Sequence, residues 1–310
     1  MLSGFSIACV ARPVSHAEVN AAPTTRAAVQ STSNDALQRR QPDPQSARAD
    51  VERYRSEVEG LIVDALAQGK SYALLGELCA VAPHRLAGSP GAQRAVEWGL
   101  DAMRRCGLVN VRAEPIRVPH WVRGERELLF VLDAHGLPSR TLTIRALGGS
   151  IATPPEGLTA EVIEIDSWDE LKDRAEQVRG KIVFFNRPMD VRQTDCFEAY
   201  GGAVDQRGSG AVEAAKVGAL AALVRSVTMR DDDFPHTGSL RYAADVAKVP
   251  SAALSTRAAN QLSAQLARGE RVTLNLQLSS HTLPDVESFN VVGEIVGSEL
   301  PEEVLVVGGH

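Results

Sequence analysis

Positive charge, aromatic rings and long apolar runs are all scarce in this chain. Lys and Arg number 33 against 39 Asp and Glu in 310 residues, a formal charge of −6. Nucleic-acid binders carry a basic stripe or patch, so that partner class is excluded on charge. No apolar run reaches the roughly 20 residues needed to span a bilayer as a helix. Cysteine is sparse too: Cys9, Cys79, Cys106 and Cys196 lie far apart, with no C-x-x-C pair and no dense disulfide framework. Cys79 and Cys106 fall on helical patterns and are expected to be buried thiols. A G-x-S-x-G nucleophile elbow is absent, and no cysteine has the context of a nucleophile. Gly208-Ser209-Gly210 lacks the third glycine of a dinucleotide fingerprint, since Glu213 stands there, and reads as a plain helix start.

What remains is an ordinary globular composition, 44% apolar and 23% charged, long enough for about two domains. Residues 1–50 are rich in Ala, Ser, Gln, Arg and Pro without sustained periodicity, which reads as a disordered tail. Its first eleven residues are mildly apolar but lack a basic n-region. They fit either a signal-peptide remnant or a non-specific tail.

Periodic order starts near Val51. Val51, Tyr54, Val58, Leu61, Ile62 and Leu66 recur at helical spacing up to Gly69, and a second helix runs from Ser71 to Pro83. Ser89-Pro90 is an N-cap followed by a first-turn proline, and Gly107 closes the helix so begun. Val109, Val111 and Ala113 alternate as a strand. From Trp121 to about Ser280 short β-like runs alternate with turns: 128–132, 142–144, 162–165, 181–185 and 272–278. Helices are expected at 211–217 and 256–266, with the apolar run 219–224 between them. Sheet pattern returns at 288–295 and at Val304–Gly308, the latter a continuous apolar run expected to be a buried strand with His310 just beyond its carboxyl end. The fold class is therefore α/β with a β-rich insertion. The organisation expected is a tail at 1–50, a first domain from 51–120 and 284–310, and an inserted block at 121–283.

Several stretches resemble one family. They are His84-Arg85-Leu86-Ala87-Gly88-Ser89, 118–124, 152–157, 180–184, 210–219, Pro235-His236-Thr237-Gly238 and 288–298. Their order and number are similar to the carboxypeptidase Q type of di-zinc metallopeptidase, relatives of the zinc aminopeptidases, over roughly residues 51–310. The resemblance implies a zinc-peptidase α/β sheet domain carrying an inserted protease-associated (PA) domain. It implies two zinc ions, a short peptide substrate, export from the cell and a homodimer. It also implies that His310 is the first zinc ligand, from a Gly-His motif at a strand end. The bridging Asp, the remaining ligands and the general-base Glu of that family have no counterpart in residues 1–310, so no catalytic residue is assigned. One imidazole supplies one of about four bonds that zinc requires. The chain is thus expected to be the front portion of a zinc-dependent exopeptidase, inactive by itself. The alternative is a binding or regulatory module built around a PA-type domain, without catalysis.

Other candidates have plain readings. Asp231-Asp232-Asp233 beside His236 looks like a metal cluster, but consecutive carboxylates do not converge in extended chain and are expected to form a solvated loop. His236 lies in a family-like stretch and is either near a substrate cleft or in that loop. His84, His120 and His135 are expected to be structural or surface residues. Trp121 either packs at the junction between the two patterns or is an ordinary core tryptophan.

Overall fold

The computed structural model describes residues 7–8 and 44–309. Three helices come first: α1 (Pro44–Gln68), α2 (Ser71–Val81) and α3 (Pro90–Arg105). The cap of α3 is the one read from sequence: the Ser89 hydroxyl accepts from the Ala92 N–H at 3.2 Å, and Pro90 occupies the first turn. Its apolar face is Ala92, Ala95, Val96, Ala102 and Met103, all buried. That face packs on a long antiparallel ribbon formed by β2 (Val109–Val122) and β11 (His281–Glu294), with Val291, Phe289, Val111 and Leu108 in the contact. A two-residue strand, β1 (Ile7–Ala8), pairs parallel with β11. Pro115 and Pro119 sit in β2, the edge strand of this sheet, and Pro284 falls where the β11 register shifts. These are the places where a missing N–H is tolerated.

Between the two ribbon strands the chain builds an eight-stranded mixed sheet. Its strands are β3 (Glu127–Leu132), β4 (Pro138–Thr141), β5 (Ile144–Ala146), β6 (Leu158–Ile165), β7 (Ile182–Phe185), β8 (Ala221–Arg225), β9 (Ser251–Leu254) and β10 (Thr273–Leu278), in the spatial order β4-β3-β10-β6-β7-β8-β9-β5. The central four, β6 to β9, are parallel, and both edges turn antiparallel. β7 and β9 are buried along their whole length, as parallel strands covered on both faces must be. β10 instead alternates, burying Leu274, Leu276 and Leu278.

Four helices complete this unit: α4 (Trp168–Asp173), α5 (Ala175–Val178), α6 (Cys196–Lys216) and α7 (Thr256–Ala267). Alternation along β7 divides the core. Ile182 and Phe184 point into the layer shared with α7, through Ala258, Ala259 and Leu262. Val183 and Phe185 point into the layer shared with α4 and α6, through Leu171, Ala211 and Ala214.

Four expectations need correction. Val304–Gly308 is not a strand. Val304 to Val307 are 44, 81, 60 and 64% exposed. A strand needs a neighbouring ladder and covered faces, and no described strand pairs with this segment. Cys79 and Cys106 are exposed, because the faces of α2 and α3 that carry them meet no covering element among the described residues. Gly208-Ser209-Gly210 is not a helix start. It lies inside α6, which begins at Cys196 with the Asp195 carboxylate accepting from the Phe197 N–H at 2.8 Å. Finally, the strand at 142–144 is shifted, and β5 begins at Ile144. His310 and the tail readings, apart from residues 7–8 and 44–50, lie outside the described residues.

Candidate functional site

No group of three or more His, Cys, Asp or Glu side chains that could hold a metal ion occurs among the described residues. The described side chains therefore do not fit a zinc site by themselves, and His310 lies outside the described residues.

The acidic run 231–233 is tethered in three directions. The Asp233 carboxylate accepts from Thr143 at 2.8 Å and from the Ser255 hydroxyl at 2.5 Å. The Asp232 carboxylate accepts from the Phe234 N–H at 3.1 Å. Asp231 faces Arg257 at 3.9 Å. These are loop anchors beside the start of α7, and the three acids do not share a centre. His236 is exposed and donates its backbone N–H to Ser226 Oγ at 2.8 Å.

A polar network that drew no notice in the sequence stands at the carboxyl ends of the parallel strands, the edge where α/β sheets place ligands. Asn186 directly follows β7, and Arg225 ends β8. Arg225 donates to Asn186 Oδ1 at 3.1 Å and to Asn260 Oδ1 at 2.8 Å. The Glu164 carboxylate accepts from Asn186 and, at 2.8 Å, from Ser263. Burial lowers the Arg225 pKa, while Asp231 and Glu164 oppose that shift. The available sequence signal was a polar residue immediately after each apolar run. It is a weak signal, because turns follow strands in any fold.

One concavity lies where the ribbon meets the eight-stranded sheet. It is a cavity of about 370 Å³. The loop before α3 supplies Leu86 and Ala87, the end of β2 supplies Pro119, Trp121 and Arg123, and two loops of the larger sheet supply Gly148–Gly149 and Gly238–Leu240. Those two loops are laced together: the Gly148 N–H donates to Gly238 O at 2.8 Å and the Leu240 N–H to Gly148 O at 2.9 Å. Trp121 is half-buried and donates its indole N–H to the carbonyl of fully buried Ser150 at 2.8 Å. It also packs against the main core, so it is a junction residue and a core residue together.

Arg123 stacks over the Trp121 ring, 5.1 Å from its centroid. Its Nη1 donates to Ala146 O and to the buried Glu127 carboxylate, while Nε and Nη2 have no acceptor among the described residues. Glu127 also pairs with Arg145 and accepts from the Ala146 N–H at 2.7 Å. Two glycines from the family-like stretches hold this region. Gly88 (φ +79°) passes so close to His120 that a Cβ would lie 3.0 Å from its ring. Gly124 (φ +79°) passes Ser279 at 2.3 Å in the same sense. His120 thus has a packing role.

Comparison with known proteins decides the kinship. Carboxypeptidase Q of Bos taurus is 42% identical over 250 residues, which is 81% of this chain and 50% of that protein. The chain is homologous to carboxypeptidase Q. The Homo sapiens carboxypeptidase Q is 41% identical over the same shares. The crystal structure of a peptidase M28 precursor from Shewanella amazonensis superposes with a TM-score of 0.73 at 32% identity, covering 80% of this chain and 55% of that one. No family model matches. The chain spans about half the length of the carboxypeptidase Q relatives it matches. The mixed α/β architecture is shared with the M28 structure.

Proposed function

We propose that this chain contributes the first portion of a zinc-dependent exopeptidase of the carboxypeptidase or dipeptidase type, acting on short peptides. The observation that carries the reading is the 42% identity to a carboxypeptidase Q over 81% of the chain. In this reading the peptidase domain is assembled from residues 51–120 and 284–310, and residues 121–283 form a PA-type insertion. The support for that division is topological: β2 and β11 pair with each other while all eight strands of the larger sheet fall between them. His310 is the first zinc ligand, two zinc ions serve the whole enzyme, and the other ligands lie in polypeptide matching the second half of the relatives. The same resemblance leads to an exported, dimeric protein. Among the described residues no helix is long and apolar enough to cross a membrane.

The chemistry zinc supplies when bound is polarisation of the scissile carbonyl and activation of a water. No described residue is placed to take part in those steps. The test compares hydrolysis of unblocked dipeptides by the 310-residue chain and by the chain extended with polypeptide matching the second half of carboxypeptidase Q. Activity that requires both the extension and zinc supports the reading. Zinc-independent hydrolysis, stoichiometric zinc held by the 310 residues alone, or an inactive extended chain that is folded and zinc-loaded would overturn it. The last outcome would favour a non-catalytic binding module.

A further inference from the structure

The junction cavity combines two features that single out one kind of ligand. Its walls are mostly apolar: Leu86, Ala87, Pro119, Trp121 and Leu240, with glycine backbone and Ser239 between. At about 370 Å³ it lies at the small end of ligand sites, suited to one side chain with its adjoining backbone. Its single charged lining residue is Arg123. That guanidinium is fixed in position by Trp121 on one face and by Ala146 O and Glu127 at Nη1. Nε and Nη2 stay unpaired among the described residues, and together they form one edge of the guanidinium fork. Two parallel N–H donors on one edge match the two oxygens of a carboxylate. Because Glu127 is held by Arg145 and the Ala146 N–H as well, Arg123 is not the only group satisfying it.

We propose that this cavity binds the C-terminal residue of a short peptide, with an apolar side chain against Trp121 and Leu86 and the free α-carboxylate on the Nε–Nη2 edge of Arg123. This rests on the peptide-processing reading above and adds the cavity and the residues that receive the peptide's C-terminal end. An acidic side chain is disfavoured, since the apolar walls would strip water from its charge without a second cation to replace it.

The experiment labels the full chain with 5-fluorotryptophan. It contains three tryptophans, Trp98, Trp121 and Trp168, and the ¹⁹F resonance of Trp121 is assigned with Trp121→Phe. The probes are N-acetyl-L-leucine, its carboxamide and N-acetyl-L-aspartate. The expected result is a saturable shift of the Trp121 resonance alone with N-acetyl-L-leucine. The carboxamide should bind about tenfold more weakly, the factor expected for losing a charge-assisted hydrogen bond, and the aspartate compound should bind more weakly than N-acetyl-L-leucine because its side-chain charge is desolvated. Arg123→Gln should bring the acid down to the level of the carboxamide. Ser239→Met, which fills the cavity and leaves Arg123 in place, should abolish the shift. A Trp121 resonance unmoved by N-acetyl-L-leucine, equal affinity for acid and carboxamide, or undiminished binding in Ser239→Met would each overturn the proposal. These binding readouts are independent of zinc and turnover. If they fail while the extended chain hydrolyses dipeptides, the cavity assignment falls and the peptidase reading stands; an inactive extended chain with intact binding gives the reverse.

Discussion

Glu127 is the residue whose removal most directly tests how the junction is held. Its side chain is 6% exposed, and it meets Arg123 at 3.3 Å, Arg145, and the Ala146 N–H at 2.7 Å. Glu127→Gln keeps an acceptor for the Ala146 N–H but removes the charge. The Arg145 pair counts for little, because Arg145 is 58% exposed and solvent-exposed pairs contribute only about 0–1 kcal/mol. The Arg123 pair is more shielded, and a hydrogen bond to a charged group contributes about 1.5–3 kcal/mol before that geometry is discounted. The expected loss for Glu127→Gln is about 1–2 kcal/mol. Glu127→Ala also orphans the N–H of Ala146, a fully buried residue, at a further cost of about 1–3 kcal/mol. Its expected loss is therefore about 3 kcal/mol. Urea unfolding gives both values from the shift in midpoint at constant slope. Added salt should shrink the loss only slightly, since only the Arg145 arm faces solvent. If both variants unfold within about 0.5 kcal/mol of the parent, the range of ordinary surface changes, the network does not hold the junction and the argument is wrong.

Three other outcomes are expected. Phe184 is fully buried between β7 and α7, so Phe184→Ala should destabilise by about 3–5 kcal/mol in the same unfolding assay, with the exact cost set by how far the site collapses. Two glycines of α6 should respond oppositely: a Cβ at Gly202 meets nothing within 4 Å, whereas one at Gly210 lies 3.1 Å from the Phe185 ring. Gly202→Ala should raise stability by about 0.5–1 kcal/mol, while crowding should cancel or reverse that gain in Gly210→Ala. Asp190 is held down to about 2 by hydrogen bonds from the Arg192 side chain and backbone. A depressed carboxylate favours the folded state above its unfolded pKa, and that favour is lost as pH falls through about 2. Carbon-detected titration should show this midpoint, and Arg192→Ala should return it towards the ordinary carboxylate range.

Much of the fold was legible because the signals were local. The Ser89-Pro90 cap, Gly107 at the end of α3 and the apolar runs of β7 and β10 each depend on residues within a few positions of one another. The start of α6 was not legible because Gly201, Gly202, Gly208 and Gly210 lower helix propensity, while burial of Ala199, Ala203, Ala211 and Ala214 sustains the helix. The segment 304–307 shows the opposite failure. Four apolar β-formers in a row have a strand's composition, but composition cannot supply the neighbour that makes a strand.

The junction was harder to read, for a reason that follows from its construction. Leu86, Arg123, Gly149 and Ser239 come from four segments spread over about half of the chain, and none of these residue types is unusual where it stands. What makes them a site is the ribbon of β2 and β11. It brings the loop before α3 against two loops of the larger sheet, and its final turn at Gly124 aims Arg123 back over Trp121. The sequence did carry one usable sign. The stretches 84–89, 118–124 and 235–238, singled out separately by resemblance, all end in this one place. Convergence of family-like stretches on a single cavity that Arg123 also lines is stronger grounds for a binding site than any one of the motifs. It also explains why Gly88 and Gly124 accept left-handed backbone: each lets a loop approach more closely than a side chain would allow. Substituting alanine at either should therefore disturb the Trp121 ¹⁹F resonance even before the chain loses stability, and a resonance unchanged in both variants would show that the loops do not shape the cavity.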